Sequence, residues 1–152
     1  MPICKRSLEV ACGASDAFEY VADWNNFKDF MPMLIDVRCI SLVAYGPGTS
    51  LEAKVVLARM EISTNLDLVE FLKDRRILYK SSRGIKSKIS WDFSQQTSKT
   101  LVTSCFEFEI PPGIVTNGSE LEAIEKDMQE RVGQSTELLK WVLEARPPSA
   151  EE

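Results

Sequence analysis

The sequence predicts an α+β protein: a seven-stranded, curved antiparallel sheet with one long C-terminal helix over its concave face. Three observations predict it. From residue 34 to residue 110 apolar and polar residues alternate with a period of two, broken at short turns. From residue 119 to about Arg146 the apolar residues recur at helical spacing, and Pro147-Pro148 then forbids continuation. Between an opening strand and the later ones lies FEYVADWNNFKDFMP, Phe18 to Pro32, which gathers Phe18, Tyr20, Trp24, Phe27 and Phe30.

Each element has its own warrant. In residues 3–12, Leu8, Val10 and Cys12 share one parity and Lys5, Ser7 and Glu9 the other, which makes a strand that Gly13 ends. Ser15 is placed to cap a short helix with Asp16 and Glu19 near its positive end. Phe18, Val21 and Ala22 form its apolar side, and Phe27, Phe30 and Met31 that of a second short helix, which Pro32 stops. Ile35, Val37, Cys39 and Val43 then set the face of a strand that turns at Gly46-Pro47-Gly48. The next two strands carry Leu51, Ala53, Val55 and Leu57, then Ile62, Thr64, Leu66 and Leu68, with a poorly marked turn near Met60. Lys73-Asp74, Gly84 and the polar run Gln95 to Lys99 separate three more strands, carrying Ile77 and Tyr79, then Ile89, Trp91 and Phe93, then Val102 to Ile110. Consecutive strands with short turns make an antiparallel meander.

After the loop IPPGIVTNG, Ser119-Glu120-Leu121-Glu122 fits a helix-starting capping box. The helix buries a stripe of Leu121, Ile124, Met128, Val132, Ser135, Leu139 and Val142. Residues 119–146 would span about 42 Å, and seven strands about 29 Å, so one helix can cross the whole face. Residues 1–146 read as a single domain and 147–152 as a disordered tail.

Composition removes several classes of function. The chain has 152 residues and a net charge of −5, with Lys73, Arg75, Arg76 and Lys80 scattered, which disfavours nucleic acid. There is no histidine, and the 4 cysteines show no CxxC spacing, which disfavours zinc and excludes a Ser-His-Asp or Cys-His arrangement. No dinucleotide or phosphate-loop motif occurs, so no cofactor is expected. Reduced thiols, no membrane-length apolar run and no signal-peptide core suit a soluble, cytoplasmic protein. A monomer or weak homodimer is expected, with Leu42, Tyr45 and Val56 outermost.

The order of strand, two short helices, six-stranded meander and long helix is the helix-grip arrangement. The chain resembles the START-like superfamily, also called SRPBCC, and within it the polyketide cyclase/dehydrase and coenzyme-Q-binding branch. The likeness rests on F-x-x-V-x-D-x-x-x-x-x-x-F-x-P from Phe18 to Pro32, on Trp91-Asp92-Phe93, on Phe106-Glu107-Phe108 and on the terminal amphipathic helix. It implies a deep cavity between sheet and helix, with Trp91 and Phe106 on the sheet side and Met128, Val132 and Ser135 on the helix side. It also places Phe27, Phe30, Met31 and Met33 opposite Pro112 and Ile114 at the entrance.

Other residues bear on the cavity directly. Gly133 lies inside the long helix, where a glycine costs about 1 kcal/mol relative to Ala; it either makes room for a ligand or lets the helix pack closely. Arg59 and Glu70 share the parity of the apolar sets, so they either pair with one another, reach solvent or hold a ligand. Trp24 and Trp141 brace the first helices against the last. A binding protein for a hydrophobic small molecule (a lipid, isoprenoid quinone or polyketide-like aromatic) is the leading expectation. The alternatives are a cyclase or dehydratase using Arg59, Tyr79 and Glu70, which would have to cluster, and an interaction or chaperone-like module with a collapsed pocket.

Overall fold

A computed structural model describes residues 3–81, 83, 86–109 and 118–146. Seven strands run in the order β1(Ile3–Val10), β7(Thr100–Phe108), β6(Ser87–Gln95), β5(Arg76–Lys80), β4(Met60–Leu72), β3(Ser50–Leu57), β2(Leu34–Cys39). Every neighbouring pair is antiparallel, so β2 to β7 form a meander and β1 closes the far edge beside β7. Helices α1(Ala14–Ala22) and α2(Phe27–Phe30) are joined by a 3-10 turn at Trp24–Asn26, and α3(Gly118–Ala145) runs along β1 and against α2. The predicted fold class is therefore the observed one.

The core on the concave face holds two ring clusters, one around Phe27 and Trp91 and one around Phe18. Phe27 meets Trp91 at 5.5 Å, Tyr79 at 5.8 Å and Phe30 at 6.0 Å between centroids. Trp91 meets Phe106 at 6.0 Å, and Phe18 meets Phe71 at 5.1 Å and Phe93 at 5.9 Å. Edge-on and tilted ring pairs add about 0.5–1.5 kcal/mol each beyond area burial. The aromatic segment is thus core: Phe30, expected at a cavity entrance, is wholly buried.

Local chemistry shifts several expected boundaries. Ser15 does not cap α1; Gly13 occupies that position, and the Ala14 N–H donates to Gln95 Oε1 of β6 at 2.7 Å. The first helix is therefore started by a residue distant in sequence. Helix α3 begins at Gly118, so Ser119 lies within its first turn. In β2 a bulge between Leu34 and Asp36 turns Ile35 outward and Leu34 inward, while Val37 and Cys39 keep the expected core face, and the strand stops at Cys39 before Val43.

The β3–β4 turn is Ala58-Arg59, with φ of 49° and 67°. Two left-handed residues are what a two-residue hairpin needs, normally supplied by Asn-Gly; Ala and Arg there cost roughly 1–2 kcal/mol each. A second bulge, between Leu68 and Glu70, puts Glu70 on the face opposite α3. There it pairs with Arg76 at 2.8 Å, which also holds Asp92 at 2.8 Å. Of the three alternatives for Arg59 and Glu70, pairing with one another is not realised. Trp24 donates to the Ala44 carbonyl at 2.9 Å and Trp141 is 72% exposed, so neither braces the helices as expected. Among the described residues no helix is long and apolar enough to cross a membrane.

Because Phe27 joins α2 to the rings of two strands, Tyr79 of β5 and Trp91 of β6, Phe27→Ala is expected to cost about 3–5 kcal/mol. Urea unfolding followed by tryptophan fluorescence checks this; a loss under about 1 kcal/mol, the scale of an ordinary surface change, would mean that the ring cluster does not hold α2 down.

Candidate functional site

Two spaces adjoin the Met31–Leu34 segment, where α2 hands over to β2. The first is an enclosed apolar hollow of about 20 Å³ between that segment and the sheet. Phe27, Met31, Met33 and Leu34 form one wall, and Val55, Leu66, Ile89, Phe106 and Phe108 form the other. The second is an open cleft of about 740 Å³ between the β3–β4 hairpin and the N-terminal half of α3. Its apolar part is Pro32, Met33, Val56, Ala58 and Ala123, and its charged part is Arg59, Lys126, Asp127, Glu130 and Arg131. Met33 borders both spaces.

The sequence explains why Met33 sits there. Pro32 cannot extend α2, and the β2 bulge forces the chain inward at Met33-Leu34, leaving both side chains buried. The Met33 carbonyl accepts from the Val56 N–H at 2.9 Å, so the backbone is tied to β3 while the side chain keeps three rotatable bonds.

The cleft's far wall is fixed by a different device. The Ala58 N–H, which the tight turn leaves pointing outward, donates to Asp127 Oδ2 of α3 at 2.7 Å. Asp127 also faces Arg131 at 3.5 Å. A helix carboxylate thus pins the strained hairpin tip, and its charge is engaged in doing so. Arg59 and Lys126 have no ion pair or hydrogen bond among the described residues. Arg59 is exposed at the hairpin tip and lines the cleft, so it reaches solvent, one of the three alternatives its strand parity left open.

The predicted site residues divide into groups. Phe27, Met31, Met33 and Phe106 line the hollow, and Met33 and Arg59 line the cleft. Phe30, Tyr79, Trp91, Met128, Val132 and Ser135 are buried but border neither space. Gly133 is turned toward β1, where an added Cβ would meet Arg6 Nε at 3.7 Å, so its missing side chain opens no room in the interior. Pro112 and Ile114 lie outside the described residues. The set Arg59, Tyr79 and Glu70 is dispersed: hairpin tip, ring cluster and opposite face. Burial pushes the Tyr79 phenol well above its ordinary pKa, which keeps it protonated.

Sequence reasoning missed Pro32, Val56, Lys126, Asp127, Glu130 and Arg131. On α3 these charges fall outside the apolar stripe and read as a solvated face; only the hairpin's approach makes them a wall. Trp91 Nε1 and Ser87 Oγ are buried polar atoms without a hydrogen-bond partner among the described residues. No group of three or more His, Cys, Asp or Glu among those residues is placed to hold a metal ion.

Comparison with known proteins bears on the fold. No family model matches the sequence, and no curated protein matches it. Solved structures do. The protein TTHA0849 from Thermus thermophilus superposes with a TM-score of 0.80 at 15% identity, over 93% of this chain and 97% of that one. A START superfamily protein from Mycobacterium smegmatis gives 0.74 at 15% identity, over 95% and 98%. The Zhui aromatase/cyclase from a Streptomyces species gives 0.71 at 16% identity, over 95% and 94%. The chain has the START-like, or SRPBCC, helix-grip fold.

Removing the hairpin's anchor tests the cleft's construction. Asp127→Ala is expected to cost about 1–3 kcal/mol, and to speed amide exchange in Leu57–Met60 with little change in β6 and β7. Unaltered exchange at the hairpin would show that the contact holds nothing.

Proposed function

We propose that this protein binds a hydrophobic small molecule, entering from the cleft past Met33 into the hollow beneath α2. The observation that carries this reading is that Met33 borders both spaces. A hollow of about 20 Å³ is on the scale of one water molecule. Binding therefore requires Met31 and Met33 to move aside, and thioether chains do this at low cost because they repack in several rotamers. Each methylene transferred from water contributes about 0.8 kcal/mol, which offsets that rearrangement for a chain of several carbons. The aromatase/cyclase with this fold supports small-molecule binding as a use of the fold, without indicating which ligand.

A second reading, an interaction module that carries no ligand, is favoured by the filled interior. A cyclase or dehydratase is disfavoured, because Arg59, Tyr79 and Glu70 share no space. Titration with cis-parinaric acid, whose fluorescence rises in an apolar site, separates the first two. Saturable 1:1 binding is expected, weakened about tenfold or more in Met33→Trp, whose circular dichroism should match the wild type. Absence of saturable binding in the wild-type protein would overturn the carrier reading in favour of the interaction module.

A further inference from the structure

We propose that the ligand is an amphiphilic carboxylate: its head is held in the cleft by Arg59 and Lys126, and its tail displaces Met33. This rests on the carrier reading and specifies the chemistry of its ligand. The chain carries a net charge of −5, yet the cleft gathers three cations, Arg59, Lys126 and Arg131, against two carboxylates, Asp127 and Glu130. The Asp127–Arg131 pair removes one charge of each sign, which leaves Arg59 and Lys126 facing Glu130 and the excess at one. Asp127 is already engaged by the Ala58 N–H at 2.7 Å and by Arg131 at 3.5 Å. Arg59 and Lys126 engage nothing among the described residues.

Arg59 is also held where it is at a cost. Its left-handed backbone, φ 67°, is a conformation that a glycine would adopt without strain. The turn directs a guanidinium to the cleft mouth, and its planar fork matches a carboxylate with two parallel hydrogen bonds. Lys126, on the opposite wall, adds a point charge. The apolar floor between them, Pro32 and Met33, leads from the charged mouth to the hollow. With Met33 displaced, a polar head at the cations and an apolar tail in the hollow are accommodated in that order. Glu130 is the opposing charge, and it sets a limit on affinity for an anion.

The test compares cis-parinaric acid with its methyl ester, which keeps the tail and removes the charge, at about pH 8 in low salt, where the free carboxyl is ionised. The acid is expected to bind the wild-type protein about tenfold tighter than the ester. Arg59→Gln together with Lys126→Gln should abolish that preference while leaving ester binding unchanged. Glu130→Gln should strengthen acid binding alone, and raising the salt from about 0.05 to about 1 M should weaken acid binding alone. Acid and ester binding the wild type equally, or a preference that survives the double substitution, would overturn the head-group assignment and leave the carrier reading standing. Failure of both probes to bind would overturn both.

Discussion

The structure depends on the burial of one short helix. Helix α2 has four residues, too few to be stable alone, since isolated helices below about 12 residues barely form in water. It exists because Phe27 and Phe30 pack on the rings of Tyr79 and Trp91, with Phe106 behind Trp91. That insertion fixes where Pro32 ends the helix, where β2 begins, and where Met33 must lie. Helix α3 then packs over α2 and along β1, with Met128, Val132 and Leu139 inward. The same rings that hold α2 in place also occupy most of the interior, so the enclosed space is small and its boundary is made of methionines.

This arrangement places rigidity and adaptability side by side. The sheet wall is β-branched, leucine and aromatic side chains on a paired backbone. The opposite wall is Met31, Met33 and Leu34 on a segment with one bulge and few backbone bonds to the sheet. The hairpin tip is strained at Ala58 and Arg59 and anchored to α3 through Asp127. Strained backbone persists only where surrounding contacts over-determine it, and such positions concentrate at functional sites.

Much of the fold is legible in the sequence because its signals are redundant. Seven alternating runs, a proline stop after each of α2 and α3, and a long apolar stripe all point to the same architecture. The misreadings come from single-residue irregularities. One extra residue at Leu34–Asp36 turns Ile35 outward and Leu34 inward, and another near Val69 sends Glu70 to the opposite face, where Arg76 receives it. Neither leaves a glycine or proline as a marker. The Ala58-Arg59 turn is invisible for the same reason. The site is half legible: Met31, Met33, Phe27 and Phe106 follow from the resemblance to the helix-grip proteins. The charged wall does not, because Lys126 and Arg131 belong to a helix surface that only tertiary contact turns into a cleft. Gly133 misleads, since a missing side chain in a helix is equally a place for a neighbour such as Arg6.

The central claim is that Met33 is the movable wall between the outer cleft and the interior, with Met31 behind it lining the hollow. Methyl-labelled methionine NMR reports on it directly, because the chain has 5 methionines. On titration with cis-parinaric acid, the Met31 and Met33 methyl resonances should shift strongly, with Met60 on the hairpin's other side unaffected and Met128 moving little. Unchanged Met31 and Met33 signals with bound ligand present, or shifts confined to Met128, would contradict it.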